Sequence, residues 1–203
     1  MRPTALVLNI LVASIATYRY VKAGFFEART LWPVLIGAIP MAFVGGAILL
    51  PGHWYRPLVG VVLLFSAIRL LLPKMFPAKD EVTPMPLIAG IGSGLLIGLL
   101  AGLTGTGGGI FLSPLLIIAG WASPKNTSGI SAAFILCNSM AGLAGNLASV
   151  GSLPPDLPLL AGAVLIGAFV GTRLGISRFA SGTIVQALAL VLVIAALKMI
   201  GVM

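Results

Sequence analysis

The segment Thr104-Gly105-Thr106-Gly107-Gly108-Gly109 places glycines and two hydroxyls in the middle of an apolar stretch that runs from Pro86 to Ala119. Lipid offers backbone N–H and C=O groups no partners, so non-helical chain at membrane depth survives only where protein surrounds it or water fills a cavity. Each glycine costs a helix roughly 1 kcal/mol relative to alanine, so the run predicts a helix that breaks at 105–109 and resumes at Ile110. A resuming helix turns free amides and the positive end of its dipole toward the break, which is chemistry suited to a small anion. Thr104 and Thr106 would add hydroxyl donors. Close helix packing is the plainer use of glycine in a membrane. That use is assigned to Gly90, Gly92, Gly94, Gly98 and Gly102, which are spaced along one continuous helix. A run of glycines exceeds what packing needs, so Gly105, Gly107, Gly108 and Gly109 are assigned to a functional break.

Few other residues carry chemistry. Asn138, with Ser139 beside it, is an amide inside an apolar run, where it needs partners; the competing explanation is a structural bond between helices. Asn9 occupies the matching place earlier in the chain and is expected to face Asn138, and Ser131 joins the candidate substrate-binding set. Arg173 could attract an anion, but an arginine near a helix end usually extends its head to the interface. Glu27, Asp80, Glu81 and Asp156 all fall between apolar runs, so no carboxylate is placed to relay protons. His53, beside Trp54 and Tyr55, is read as a loop residue, and Cys137 has no second cysteine to pair with. No catalytic triad, paired-carboxylate set, metal-ligand cluster or lysine-bearing phosphate loop is present, which argues against an enzyme and against a cofactor or metal.

The elements that must position these residues are membrane spans. The chain has 203 residues, 59% hydrophobic and 8% charged, with a mean hydropathy of +1.15, whereas soluble domains carry about 25% charged residues. An all-α polytopic membrane protein follows. The net charge of +8 would suit nucleic acid in a soluble protein, but here the basic residues fall between apolar runs and set topology instead. The expected partners are therefore the bilayer and a small anionic solute. Apolar runs occur at about 4–18, 31–50, 57–72, 86–103, 110–120, 129–148, 158–175 and 182–200. The first is not followed by a small-residue cleavage site and is read as a membrane helix rather than a leader. Run 110–120 is too short to cross alone and reads as the second arm of a re-entrant element whose first arm is 86–103. With that element returning to its own side, Arg19, Lys22, Arg29, Arg69, Lys74, Lys79, Lys125, Arg173 and Arg178 share one face, against Arg2, Arg56 and Lys198 on the other. The basic-rich side is expected to be cytoplasmic.

An internal repeat fits this layout. Asn9, the stretch Phe43-Val44-Gly45-Gly46 and Arg69 correspond to Asn138, Phe169-Val170-Gly171-Thr172 and Lys198. The corresponding loops 19–30 and 149–157 differ in basic content, as an inverted-topology repeat requires; a parallel repeat is the alternative. The expected organisation is a first repeat at 1–76, a cytoplasmic linker at 77–85 and a second repeat at 86–203. The first repeat shows no counterpart of the broken element. Association with a second copy or another protein to complete the site, or a chain that does not transport by itself, is the competing functional expectation.

These residues resemble a known family. The run from Gly102 through Gly105, Gly107, Gly108 and Gly109 to Pro114 and Leu116 is similar to the G-x-x-G-x-G-G-G-x-x-x-x-P-x-L signature of the TauE/SafE sulfite exporters, also called TSUP permeases. Gly129-Ile130-Ser131 and Asn138-Ser139 resemble that family's G-T-S and N-S positions, with Ile130 where threonine is usual. The stretch from Gly167 to Leu174 is similar to its G-A-x-x-G-x-R-L motif. The resemblance implies secondary transport of sulfur oxoanions or organosulfur compounds across a bacterial cytoplasmic membrane. It also implies a glycine signature in both repeats, which this chain carries once.

Overall fold

The computed structural model describes residues 2–48, 52–72, 82–145 and 157–200. They form eight helices: α1 (Arg2–Lys22), α2 (Ala28–Ala47), α3 (Gly52–Leu71), α4 (Leu87–Thr104), α5 (Gly109–Ile118), α6 (Pro124–Gly145), α7 (Leu157–Ser177) and α8 (Ser181–Ile200). Among the described residues, α1, α2, α4, α6, α7 and α8 are long and apolar enough to cross a membrane, and α5 is a shorter apolar helix. The break falls where the glycine run predicts it, with the second arm starting one residue earlier than expected. His53 lies in the first turn of α3 rather than in a loop, because the helix begins at Gly52, five residues ahead of Pro57. The expected linker lies largely outside the described residues; its end, 82–85, is irregular chain that leads through Pro86 into α4.

The amide of Thr83, ahead of α4, donates to the carbonyl of Gly120, after α5, at 2.8 Å. Both ends of the α4–α5 element therefore meet at one end of the bundle, and the element is a hairpin. Glu27, Arg29, Thr30, Thr83, Met85 and Trp121 line one cavity of about 330 Å³ at that end, which brings the α1–α2, α3–α4 and α5–α6 connections together. The Lys125 ammonium sits 5.1 Å from the centre of the Phe25 ring and donates to the Ile176 carbonyl at 3.4 Å, which adds the end of α7. Arg19 lies on the same side: it donates to the Phe169 carbonyl at 2.6 Å and to Thr172 Oγ1 at 2.8 Å. The basic-rich connections are thus at one end, as the hairpin count requires; Lys74 and Lys79 lie outside the described residues.

Packing follows the internal repeat. Helix α2 packs on α6 and its counterpart α7 on α1, while α1 packs on α6 and α3 on α8. Exchange of the two halves reproduces these pairings, and because the hairpin returns to its own side, corresponding helices run in opposite directions. Leu63, Leu112, Leu116, Phe134 and Leu192 form the core where α3, α5, α6 and α8 meet. Trp32, Ile36, Phe65, Ile166 and Leu190 point outward, as side chains facing lipid do.

Helix α4 is held mainly by α2, at backbone-to-backbone distance. A Cβ on Gly94 would strike the Val34 carbonyl, one on Gly98 the Ala38 backbone, and one on Gly102 the Ala42 carbonyl. The spacing of four on both helices stacks small residues along the seam. A Cβ on Gly90 would meet Pro33 Cβ at 2.5 Å, whereas Gly92 points into open space and takes no part in this packing.

Candidate functional site

The break is built from glycines in conformations that other residues rarely adopt. Gly105 caps the end of α4 at φ 72°, and its amide donates to the Ala101 carbonyl at 2.8 Å. Gly107 follows at φ 71°, and Gly108, at φ 81°, starts α5. An L side chain in this region costs about 1–2 kcal/mol. The Gly108 carbonyl accepts the amides of Phe111 and Leu112 at 3.0 and 3.1 Å. Among the described residues, the amides from Thr106 to Ile110 find no backbone acceptor. Those of Gly108 to Ile110 are orphan donors of a helix start, and those of Thr106 and Gly107 belong to the turn ahead of it.

Two other helices aim polar side chains at this turn. Asn138, 1% exposed, and Ser139, 0% exposed, have no hydrogen-bond partner at Nδ2, Oδ1 or Oγ. A Cβ built on Gly108 would lie 3.1 Å from Asn138 Nδ2 and 2.8 Å from the Phe134 ring. One built on Gly107 would lie 2.8 Å from Ser139 Oγ and 3.1 Å from Asn9 Nδ2. Asn9 also reaches the Gly105 carbonyl at 3.5 Å. Asn9 and Asn138 therefore meet at the two sides of one glycine turn. At 1.5 Å per residue, each stands roughly 10 Å from the near end of its helix and roughly 20 Å from the basic end.

The remaining candidates play different parts. Thr104 Oγ1 donates to the Leu100 carbonyl at 2.7 Å and lies 2.8 Å from Thr106 Oγ1. A hydroxyl has one hydrogen, so Thr106 donates to Thr104 and neither hydrogen remains free in this state. The pair pins the turn and presents acceptor lone pairs. Ser131 stands two turns before Asn138 and accepts from Ser113 at 2.8 Å, tying α5 to α6 away from the turn. Gly109 is pressed against the Ile135 side chain. Arg173 is exposed on α7. Ser139, outside the set chosen from sequence, belongs to the site. Positions i and i+1 of a helix point about 100° apart, yet the turn is wide enough for Gly107 to meet Ser139 while Gly108 meets Asn138.

The site contains neutral donors and acceptors but no ionised side chain. Among the described residues the one carboxylate side chain is Glu27, which precedes α2; Asp80, Glu81 and Asp156 lie outside the described residues. Among the described residues, no group of His, Cys, Asp and Glu could hold a metal ion.

A multi-pass helical bundle with apolar outer faces, in which a broken hairpin opens unpaired amides beneath buried polar side chains, has the form of a membrane transporter. The chain belongs to the TauE/SafE sulfite exporter family, whose model matches residues 1–199. It is 34% identical over 204 residues to a protein of Sinorhizobium fredii (strain NBRC 101917 / NGR234) named "Probable membrane transporter protein y4hK", a match covering 98% of this chain and 82% of that one. No solved structure matches.

Proposed function

We propose that this protein is a secondary transporter of a small sulfur-containing anion, sulfite or an organosulfonate, in a bacterial cytoplasmic membrane. The anion binds at the amides of Gly107, Gly108 and Gly109, oriented by Asn138, Ser139 and Asn9, with Thr104 and Thr106 fixing the turn. The observation that carries this reading is the pair of fully buried, unpartnered side chains, Asn138 and Ser139, set against a helix start whose own amides are unpartnered. Leaving such groups unmade costs about 1–3 kcal/mol each, and a bound oxoanion would satisfy them together.

Phe134, Ile135 and Ser139 crowd the turn, so the state described is a closed one. Admission of the anion requires α6 and the hairpin to separate at this point, and alternating access follows if they separate first toward one end and then toward the other. The family membership, the longer relative's printed name and the basic-rich end support transport across a membrane with that end in the cytoplasm.

The test is counterflow of labelled sulfite and methanesulfonate in proteoliposomes with Gly108→Leu. The variant inserts and elutes as the parent does but carries no flux. Flux equal to the parent's would remove the break from the transport path.

A further inference from the structure

We infer that the glycine cradle accepts its oxoanion with a single negative charge, so that a diprotic substrate such as sulfite is carried as its hydrogen-bearing monoanion and brings its own proton. This rests on the anion site proposed above.

The first support is the inventory of charge around the turn. The three atoms nearest to a Cβ on each of Gly107, Gly108 and Gly109 belong to Ser139, Ile135, Asn9, Phe134, Ala101, Asn138 and Ser131, none of which ionises. Along α1 the charges are Arg2, at the start of the helix, seven residues and about 10 Å from Asn9, and Arg19, ten residues and about 15 Å away, whose guanidinium is engaged by Phe169 and Thr172. Along α6 it is Lys125, about 20 Å from Asn138 and occupied with Phe25 and Ile176. The sequence of α4 and α5 contains no charged residue. On α2 the one charged residue is Arg29, at its start; α3 carries Arg56 and Arg69, α7 Arg173 and α8 Lys198. Cys137, beside Asn138 and half-buried, is the titratable group nearest along the chain.

What remains to hold an anion is a helix start, equivalent to roughly half a positive charge, plus neutral N–H and O–H donors. The cost of taking an ion out of water rises with the square of its charge, about fourfold from a monoanion to a dianion. One charge suits this site and two do not.

The second support is that the cradle is not made of donors alone. Asn138 Oδ1 is buried without a donor, and Thr106 Oγ1 keeps its lone pairs after donating to Thr104. A fully deprotonated oxoanion offers acceptors only and leaves Asn138 Oδ1 unmatched; a hydrogen-bearing monoanion supplies the missing donor. The proton then crosses on the substrate and is released to water after it leaves, with no side-chain relay. This agrees with the absence of any Asp or Glu from the sequences of the eight helices.

The experiment is calorimetric titration of the purified chain in nanodiscs with sulfite, methanesulfonate and sulfate, on both sides of sulfite's second dissociation near neutrality. Methanesulfonate, a monoanion throughout that meets the charge requirement but carries no hydrogen for Asn138 Oδ1, binds more weakly than hydrogensulfite and with the same affinity at every pH. Sulfite affinity falls by about tenfold per pH unit once the dianion dominates, and sulfate neither binds nor competes. Sulfite affinity that stays level or rises with pH, or competition by sulfate equal to that by methanesulfonate, would overturn the inference while leaving the site in place. Failure of both sulfite and methanesulfonate to bind at any pH, or binding undiminished in both Gly108→Leu and Ser139→Ala, would overturn the site and the inference with it.

Discussion

Asn138→Leu separates a binding amide from a structural one. Both amide atoms of Asn138 are buried without partners, so the folded state bears their desolvation with nothing in return. An unsatisfied buried polar atom costs about 1–3 kcal/mol in a water-soluble protein. The discount for a membrane is large, because the unassembled chain in lipid finds partners too and measured interhelical bonds there average about 0.6 kcal/mol. Leucine is branched like asparagine and close to it in size, and Phe134 and the Gly108 turn limit how well it fits. A net gain of about 1–2 kcal/mol is expected, and at about 2–4 °C per kcal/mol for a chain of this length the midpoint rises by about 2–8 °C.

The assay pairs thermal unfolding of the purified protein, followed by tryptophan fluorescence, with anion counterflow in liposomes. The expected result is a more stable protein that transports nothing. A variant that melts lower than the parent while retaining flux would show that Asn138 bonds another helix and does not touch the substrate.

Three further outcomes follow from the packing. Gly98→Ala drives a Cβ into the Ala38 backbone, 2.6 Å from its Cα, and is expected to lose about 1–3 kcal/mol; Gly92→Ala, in open space, is expected to be neutral or to gain up to about 1 kcal/mol in the same melting assay. Ser131→Ala removes the bond to Ser113 and is expected to lower stability by about 0.6 kcal/mol with flux intact, so abolished flux would return Ser131 to the site. Thr83→Cys and Trp121→Cys are expected to react with an impermeant maleimide from the same face of oriented vesicles, because the chain ahead of α4 and the chain after α5 are paired; labelling from opposite faces would mean that α4 and α5 together form a single crossing.

Much of this architecture was legible because it depends on composition and period. The five glycines of α4 announced close packing, which four of them at intervals of four, Gly90, Gly94, Gly98 and Gly102, provide, and the run after Thr104 announced the break. The distribution of basic residues favoured a hairpin, and Thr83 and Gly120 now pair across its base. What could not be read was direction. Gly92 looks like its neighbours in sequence and differs only in the face it occupies. Thr104 and Thr106 looked like free donors, but in a helix end a threonine hydroxyl readily bonds the carbonyl four residues back, and their hydrogens are spent locally. Ser131 and Asn138 lie on one helix, yet the short α5 brings Ser113 to the first and the open turn to the second. Ser139 stands beside Asn138 in sequence, but that both reach the turn depends on its presenting two adjacent glycines to two adjacent residues. Asn9 and Asn138 approach neighbouring glycines of the turn, Gly107 and Gly108, one from each side.

The central claim is that the orphan amides of the break hold the anion. The most direct measurement is amide hydrogen exchange of the protein in nanodiscs, with and without saturating methanesulfonate, resolved to the peptide containing residues 105–110. Slower exchange confined to that peptide and to the α6 segment around Asn138 and Ser139 is the predicted result. Unchanged exchange there, with protection at another place in the bundle, would contradict the account.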